Sequence, residues 1–532
     1  MEITVADYIA SQLFKAGVRY VFGIPGGPSI PYIEAFSKAG IRFILVSNEA
    51  AAGIMADVTS RITGIPGICH ATFGPGATNI STGIGGALLD RSAVIVLTSE
   101  MDDDFIHRTA QMNISHQKLF EPITKATFRV DENNVAEILE RSLSICKTEY
   151  PGPVHLGLPS GTALKEVISS NDGALKFDNK TFRNEPDKIR KLLEQSRRPL
   201  IAAGLTAKRV LKNNELTDFL DRCKIPVIVT PMAKGIIPAG HPCYAGVLFH
   251  ALSNYLEDIY QKCDLVIGLG YDQVEYNYES WLPEVPLVHF DTLGTDLPCR
   301  ENIFSYFGKP DEWFDMLGSL DRGSLIFEGT LVKGIRDEMV SYMNSFLDHF
   351  GPVTALNVLR KELPGDAILT SDVGSHLHLI GQYWDCGTEG TLLMTNGWSG
   401  MGFGIPAAIA AKMCRPDTPV VCITGDGGFL MMAGEIVTAL RYNLPVIFVV
   451  FSDGELNLIK LKQSWKNLPP EGTIIYKDDL FRSDTFLGVR VLRANNEESM
   501  TSAVNEALRA GEPLIINAVI DPEDYNFLVV KQ

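Results

Sequence analysis

Three features of the 532-residue sequence predict an α/β chain of three doubly wound domains, each built on a parallel sheet. The strand-like runs, such as Ala93–Thr98, Val420–Thr424 and Val446–Phe451, are almost continuously apolar, which suits strands covered on both faces. Glycine turns and helix-period segments follow these runs. The βα pattern occurs in three successive blocks of roughly 150 residues, an ordinary domain size.

The first block, 1–165, reads as a helix over Val5–Ala16, the strand Tyr20–Phe22 and the loop Gly23–Gly27. Next come a strand at Arg42–Val46, a helix from Ala50, a strand at Gly67–Thr72 and the loop Phe73–Ala77. A small-residue helix over Thr78–Leu89, the strand Ala93–Thr98 and a proline-closed strand within Pro151–Pro159 complete it. Ser160–Pro186 is polar and weakly patterned, the mark of a linker. The second block, 186–325, has strands at Pro199–Gly204, Pro226–Thr230, Leu265–Leu269 and Leu287–Phe290, and its pattern fades after Asp291. A helix is expected near Met339–Phe350. The third block, 350–532, offers Ala367–Ser371, Val420–Thr424, Val446–Phe451 and Leu514–Val519 as strands.

Composition narrows the function classes. Apolar residues make up 45% and charged residues 21%, enough to fill folded cores. The net charge of −17 is spread along the chain, which argues against nucleic acid or anionic membrane as partner. A small anionic substrate stays compatible, because a few local donors outweigh a global charge. No apolar run is long enough for a membrane span, and the N-terminal segment lacks the pattern of a signal peptide. Nine cysteines occur singly, without CxxC pairs, as expected of a reducing, cytoplasmic location.

The most informative segment is VVCITGDGGFLMMAGEIVTALRYNLPVIFVVFSDGELN, which reads as strand, glycine turn, helix and strand. Asp426 and Asp453, 27 residues apart, fall at the same edge of adjacent parallel strands. Gly425, Gly427 and Gly428 allow close backbone approach to a ligand at a helix start. Two carboxylates beside a diphosphate form the hard oxygen cage that Mg²⁺ prefers. Glycines and aspartates end strands in many α/β proteins; the long interval with EIVTAxRxxLPV inside it is the more demanding signal. Two further segments stand out: Asp372-Val-Gly-Ser-His376 after a strand, and Glu49 at the end of an apolar strand before a run of small residues. A glutamate there also suits the start of a helix.

On these motifs the chain resembles the thiamine-diphosphate-dependent enzymes, whose signature is GDG followed at this distance by a metal-binding Asn or Asp. The resemblance covers essentially the whole chain. It implies that the side chains of Asp426 and Asp453 and the carbonyl of Glu455 hold Mg²⁺. Gly374, Ser375, His376, Ser399, Gly425, Gly427, Gly428 and Asn457 would border the cofactor, and Met401 would wedge it into a bent form. Glu49 would bond N1′ of the aminopyrimidine and favour its imino tautomer, whose nitrogen removes the thiazolium C2 proton. An apolar setting would favour the protonated carboxyl and suit this exchange. Many relatives have Asn where this chain has Ser452.

In such enzymes Glu49 and the metal site of one active centre come from different subunits, which implies a homodimer or homotetramer. Thr230–Pro238, Gly270–Tyr276, Trp281 and Leu458–Gln463 are similar to catabolic acetolactate synthases. That resemblance implies a carboligase acting on pyruvate or another small 2-oxo acid, without FAD. His116 and Gln117 align with an active-site segment and would donate to the substrate, while Gly26 and Gly27 would border the same pocket. A His–Gln pair also occurs in carboxyethylarginine synthase and ring-diketone hydrolases, so simple decarboxylation and diketone cleavage stand as alternatives. An inactive regulatory subunit is the non-enzyme alternative, and the glycine turns lack the GxGxxG pattern of nicotinamide enzymes.

Overall fold

Strands that are apolar on both faces must be covered on both, and the chain meets this need three times over. The computed structural model describes residues 3–168 and 184–530, apart from 213, 295, 321–322, 327–328 and 387–389. Residues 169–183 of the expected linker Ser160–Pro186 lie outside the described residues.

The first sheet holds β1 (Tyr20–Gly23), β2 (Arg42–Leu45), β3 (Gly67–Ala71), β4 (Val94–Glu100), β5 (Ala126–Arg129) and β6 (Val154–Pro159). Their order is β2-β1-β3-β4-β6-β5. The second holds β7 (Pro199–Ala203), β8 (Val227–Val229), β9 (Tyr244–Val247), β10 (Leu265–Leu269), β11 (Leu287–Asp291) and β12 (Ile303–Phe307), in the order β12-β11-β10-β7-β8-β9. The third holds β13 (Ile368–Ser371), β14 (Leu392–Leu393), β15 (Val420–Gly425), β16 (Val446–Ser452), β17 (Thr485–Phe486), β18 (Val489–Ala494) and β19 (Leu514–Val519). Its order is β14-β13-β15-β16-β19-β18-β17, with only the β17–β18 pair antiparallel. Chain order reverses beside the first strands of each sheet, the doubly wound arrangement.

Two expectations need correction. The second block does not fade after Asp291: β12 pairs in parallel with β11, residue for residue from Leu287↔Ile303 to Asp291↔Phe307. As an edge strand it is half-buried throughout and carries no continuous apolar run. The helix expected near Met339–Phe350 instead spans Gly329–Asn344, because Val332, Ile335, Met339 and Met343 recur at helical spacing and all face the core.

The third domain shares apolar cores with both others. One core joins the helices Glu49–Thr63 and Pro75–Leu89 to the helix Gly404–Cys414 and one face of the third sheet. Another joins central-domain residues such as Val266 and Tyr271 to Leu356, Ile380 and Val449. The helix Glu49–Thr63 crosses Pro75–Leu89 at two glycines: a Cβ on Gly53 would lie 2.8 Å from the Cα of Gly83. Polar ties reinforce the packing. Arg61 donates to Asp57 (2.6 Å), to Asp90 (2.8 Å) and to the carbonyl of Met394 (2.7 Å). Asp90 also accepts from the Gly397 N–H at 3.0 Å, and Arg91 pairs with Asp272 of the central domain at 2.6 Å. Among the described residues no helix is long and apolar enough to cross a membrane.

Candidate active site

At the C-terminal edge of the third sheet, β15 and β16 run in register from Val420↔Val446 to Gly425↔Phe451, so the residues just beyond them emerge side by side. Asp426 and Asp453 meet there. Asp426 Oδ2 accepts from the N–H groups of Asp453 (3.2 Å) and Gly454 (2.7 Å) and from the Tyr476 hydroxyl (3.0 Å). Its Oδ1 accepts from the Gly427 N–H at 2.9 Å. Glu455 donates its N–H to Asp453 Oδ1 at 3.1 Å while bridging Ile474 in an extended conformation. Among the described residues no side-chain cation pairs with either aspartate; Lys460 bonds Glu455 instead, at 2.5 Å.

Burial, and next the Asp426 charge, push the Asp453 carboxyl up to about 7, and burial raises that of Asp426. Two crowded carboxylates favour a divalent cation, which relieves their repulsion. Neighbouring side chains leave no spare room at the glycine turn. A Cβ on Gly427 would lie 3.1 Å from Met401 Cε, and one on Gly428 would lie 2.6 Å from Asp372 Oδ2. Met401 thus reaches the glycine turn. Ser375 donates to Asn457 Oδ1 at 3.0 Å, and a Cβ on Gly425 would lie 3.4 Å from His376 Cε1. Next to them, Gly374 has a backbone so close to His376 that its own Cβ would lie 2.8 Å from the ring. Nε2 of His376 is buried without a hydrogen-bond partner, and burial pushes the ring down to about 4, which leaves it a neutral group open to a ligand. Ser399 bonds the Asn396 carbonyl at 2.7 Å within the loop that leads to Met401.

The first sheet presents a second cluster at its own C-terminal edge. Glu49 opens the helix Glu49–Thr63, capped by Asn48, and its Oε2 accepts from Asn79 Nδ2 at 2.6 Å. A Cβ on Gly76 would lie 3.5 Å from Glu49 Oε1 and 3.2 Å from Thr72 Cγ2. Gly26 packs on Thr72, whereas Gly27 faces open space. His116 is buried: its Nε2 accepts from the Gly74 N–H at 3.2 Å, and Gln117 donates to Glu100 Oε1 at 2.6 Å.

Three residues that the sequence reading left without a role hold these clusters in shape. Asp372 accepts from the N–H groups of Val373 (2.6 Å) and Gly402 (2.8 Å) and from Thr424 (3.0 Å), gathering three loops around the glycine turn. Tyr476 bonds Asp426. Glu435, fully buried, accepts from the N–H groups of Ser47 and Asn48 at 2.9 Å each and from Thr438 at 2.7 Å. The third domain thereby clamps the segment that carries Glu49. Glu435→Ala would strand two donors, at a cost of about 2 kcal/mol or more. The expected result is a lower unfolding temperature together with faster hydrogen exchange at Ser47 and Asn48, read by mass spectrometry. Position in the sequence offered a signal only for Asp372, which directly follows a strand.

A doubly wound domain with a glycine-lined pair of aspartates at its sheet edge, joined to a second domain that presents a glutamate, defines a cofactor-dependent enzyme of the diphosphate-binding class. The chain belongs to the thiamine pyrophosphate enzymes. Models of that family match in all three domains: the N-terminal TPP-binding domain at 3–119, the central domain at 187–306 and the C-terminal TPP-binding domain at 372–518. Relatives are similar over nearly their full lengths. A probable acetolactate synthase large subunit of Methanocaldococcus jannaschii is 29% identical over 98% of this chain and 92% of its own. The acetolactate synthase isozyme 2 large subunit of Escherichia coli K12 is 27% identical over 97% and 95%, and the acetolactate synthase of Bacillus subtilis 24% over 98% and 93%.

Proposed function

We propose that this chain is a carboligase of the acetolactate-synthase type, which removes CO₂ from pyruvate or a similar 2-oxo acid and joins the remainder to an acceptor carbonyl. The meeting of Asp426 and Asp453 at one sheet edge, beside Glu455, whose carbonyl would be the third ligand, carries this reading. Mg²⁺ is the cation that suits three hard oxygens beside a diphosphate. Ser375, His376 and Asn457 would receive the diphosphate, and Met401, reaching the glycine turn, would support the thiazolium side. Thiamine diphosphate bound there would supply the centre that attacks the keto carbon and takes up the electrons CO₂ leaves behind.

Glu49 would hold and exchange a proton at N1′ of the pyrimidine. Within one chain its carboxylate bonds Asn79 of its own domain and no described residue of the third. Completion of the site by a second copy of the chain, as a homodimer or homotetramer, supplies the missing half. The open space beside Gly27 would admit the substrate.

Incubation of purified protein with thiamine diphosphate, Mg²⁺ and pyruvate alone should yield acetolactate and CO₂. Acetaldehyde without acetolactate would replace this reading with simple decarboxylation. An absence of turnover would rule out pyruvate as donor.

A further inference from the structure

Behind the turn that borders Glu49 lies a row of polar side chains in which His116, expected as a donor to the substrate, is joined by Thr98, His155 and Thr127. The Gly74 N–H donates to His116 Nε2 at 3.2 Å, so that nitrogen carries a lone pair. Burial pushes the His116 ring down to about 4, which leaves it neutral with its single proton on Nδ1, 2.8 Å from Thr98 Oγ1. Thr98 has one hydroxyl proton and a second neighbour, His155 Nε2, at 2.7 Å. Having accepted from His116, it donates to His155. The remaining proton of His155, on Nδ1, meets Thr127 Oγ1 at 2.6 Å. The row crosses three neighbouring strands, from β4 through β6 to the half-buried edge strand β5.

The charges around it leave this order intact. Glu100 Oε1 lies 3.9 Å from His116 Nδ1, but Gln117 holds that oxygen at 2.6 Å and Arg129 holds the other at 3.1 Å. His155 is buried, and its ring stacks on Phe120 with centroids 4.3 Å apart.

We propose that His155 is a positioning residue which, acting through Thr98, fixes the proton of His116 on Nδ1 and its lone pair on Nε2, so that His116 presents a proton acceptor to the Phe73–Gly74 turn that leads into the helix Pro75–Leu89 beside Glu49. The proposal rests on the reading of this sheet edge as a catalytic face. A substrate hydroxyl at Nε2 would take the place of the Gly74 N–H as donor. A proton taken up there forms a new N–H, and the Nδ1–H bond breaks as its proton passes to Thr98. The Thr98 hydroxyl proton moves to His155 Nε2, the Nδ1 proton of His155 moves to Thr127, and Thr127 releases its own proton to water. Each hop breaks one bond and makes one, so a single proton enters and a single proton leaves.

Two replacements of His155 separate this role from packing. His155→Gln keeps an acceptor for Thr98 and a donor for Thr127 but loses the stack on Phe120. His155→Phe keeps the stack and loses both hydrogen bonds. Solid-state ¹⁵N NMR of the full chain, labelled at histidine and assigned by difference from His116→Asn, reads the tautomer without substrate. In the parent and the Gln variant, His116 should show a bare Nε2 and a protonated Nδ1; in the Phe variant the proton should move to Nε2 or divide between the two. Turnover in the Phe variant should fall about tenfold with KM changed by less than about twofold, and the Gln variant should stay within about threefold of the parent. If either variant misfolds, Thr98→Val and Thr98→Ser make the same comparison with and without the hydroxyl. A parent protein with its proton on Nε2, a Phe variant that keeps the parent tautomer, or loss confined to the Gln variant would each overturn the proposal. Because the tautomer is read without substrate, inactivity toward pyruvate would count against the proposed reaction alone.

Discussion

Glu49→Gln is expected to bind thiamine diphosphate within about threefold of the parent and to turn over ~10²–10⁴-fold more slowly, the range that a positioned proton-exchanging group contributes. Glutamine fills the same volume at the start of the helix Glu49–Thr63, and its amide oxygen can still accept from Asn79, which now meets Glu49 Oε2 at 2.6 Å. What the amide lacks is an ionisable group that can exchange a proton with the pyrimidine. Calorimetric titration of the cofactor and product formation from pyruvate measure the two halves of this expectation separately. Turnover within about threefold of the parent would remove Glu49 from the chemistry, and loss of binding would assign it to holding the cofactor instead.

Asp426→Ala should have the larger effect on loading. The carboxylate accepts four hydrogen bonds, from Gly427, Asp453, Gly454 and Tyr476, in addition to its proposed place on the cation. Groups that only orient a metal ligand change metal affinity by about 10–100-fold when removed, so loss of a ligand that also shapes its own loop should cost at least ~100-fold. Thermal unfolding should then show no rise on addition of Mg²⁺ and thiamine diphosphate, where the parent rises by several degrees. Asp453→Ala should weaken loading less severely, because its Oδ1 accepts only from Glu455, and Asp453→Asn should be the mildest of the three. Cofactor-induced stabilisation equal to the parent's in Asp426→Ala would place the cation elsewhere.

What could be read in the sequence follows from the physics of each element. Strands buried on both faces announce themselves as apolar runs, and β4, β15, β16 and β19 were legible for that reason. Strands with a face or edge in water were harder to read: the edge strand β12 carries Ser305 among its aromatics, and β18, next to the short edge strand β17, carries Arg490 and Arg493 among apolar residues. The aspartate pair was legible because one βαβ crossover brings both residues to one edge. Contacts across domains left no local trace. Glu435 lies in the segment between the two aspartates, yet its partners Ser47 and Asn48 are 388 and 387 residues away. Tyr476 reaches Asp426 from 50 residues downstream, and His155 meets Thr98 across 57. Side-chain partnerships of this kind depend on three-dimensional closure that no periodicity encodes.

The crossing of Gly53 over Gly83 sets a boundary on how this enzyme can change. Glu49 and Asn79 sit on the two helices that touch there, so their separation is governed by a backbone junction with no side chain to trim or enlarge. Selection for new substrates therefore has its latitude at places such as the open flank of Gly27, while the pivot that spaces the glutamate from its amide partner stays closed to gradual adjustment.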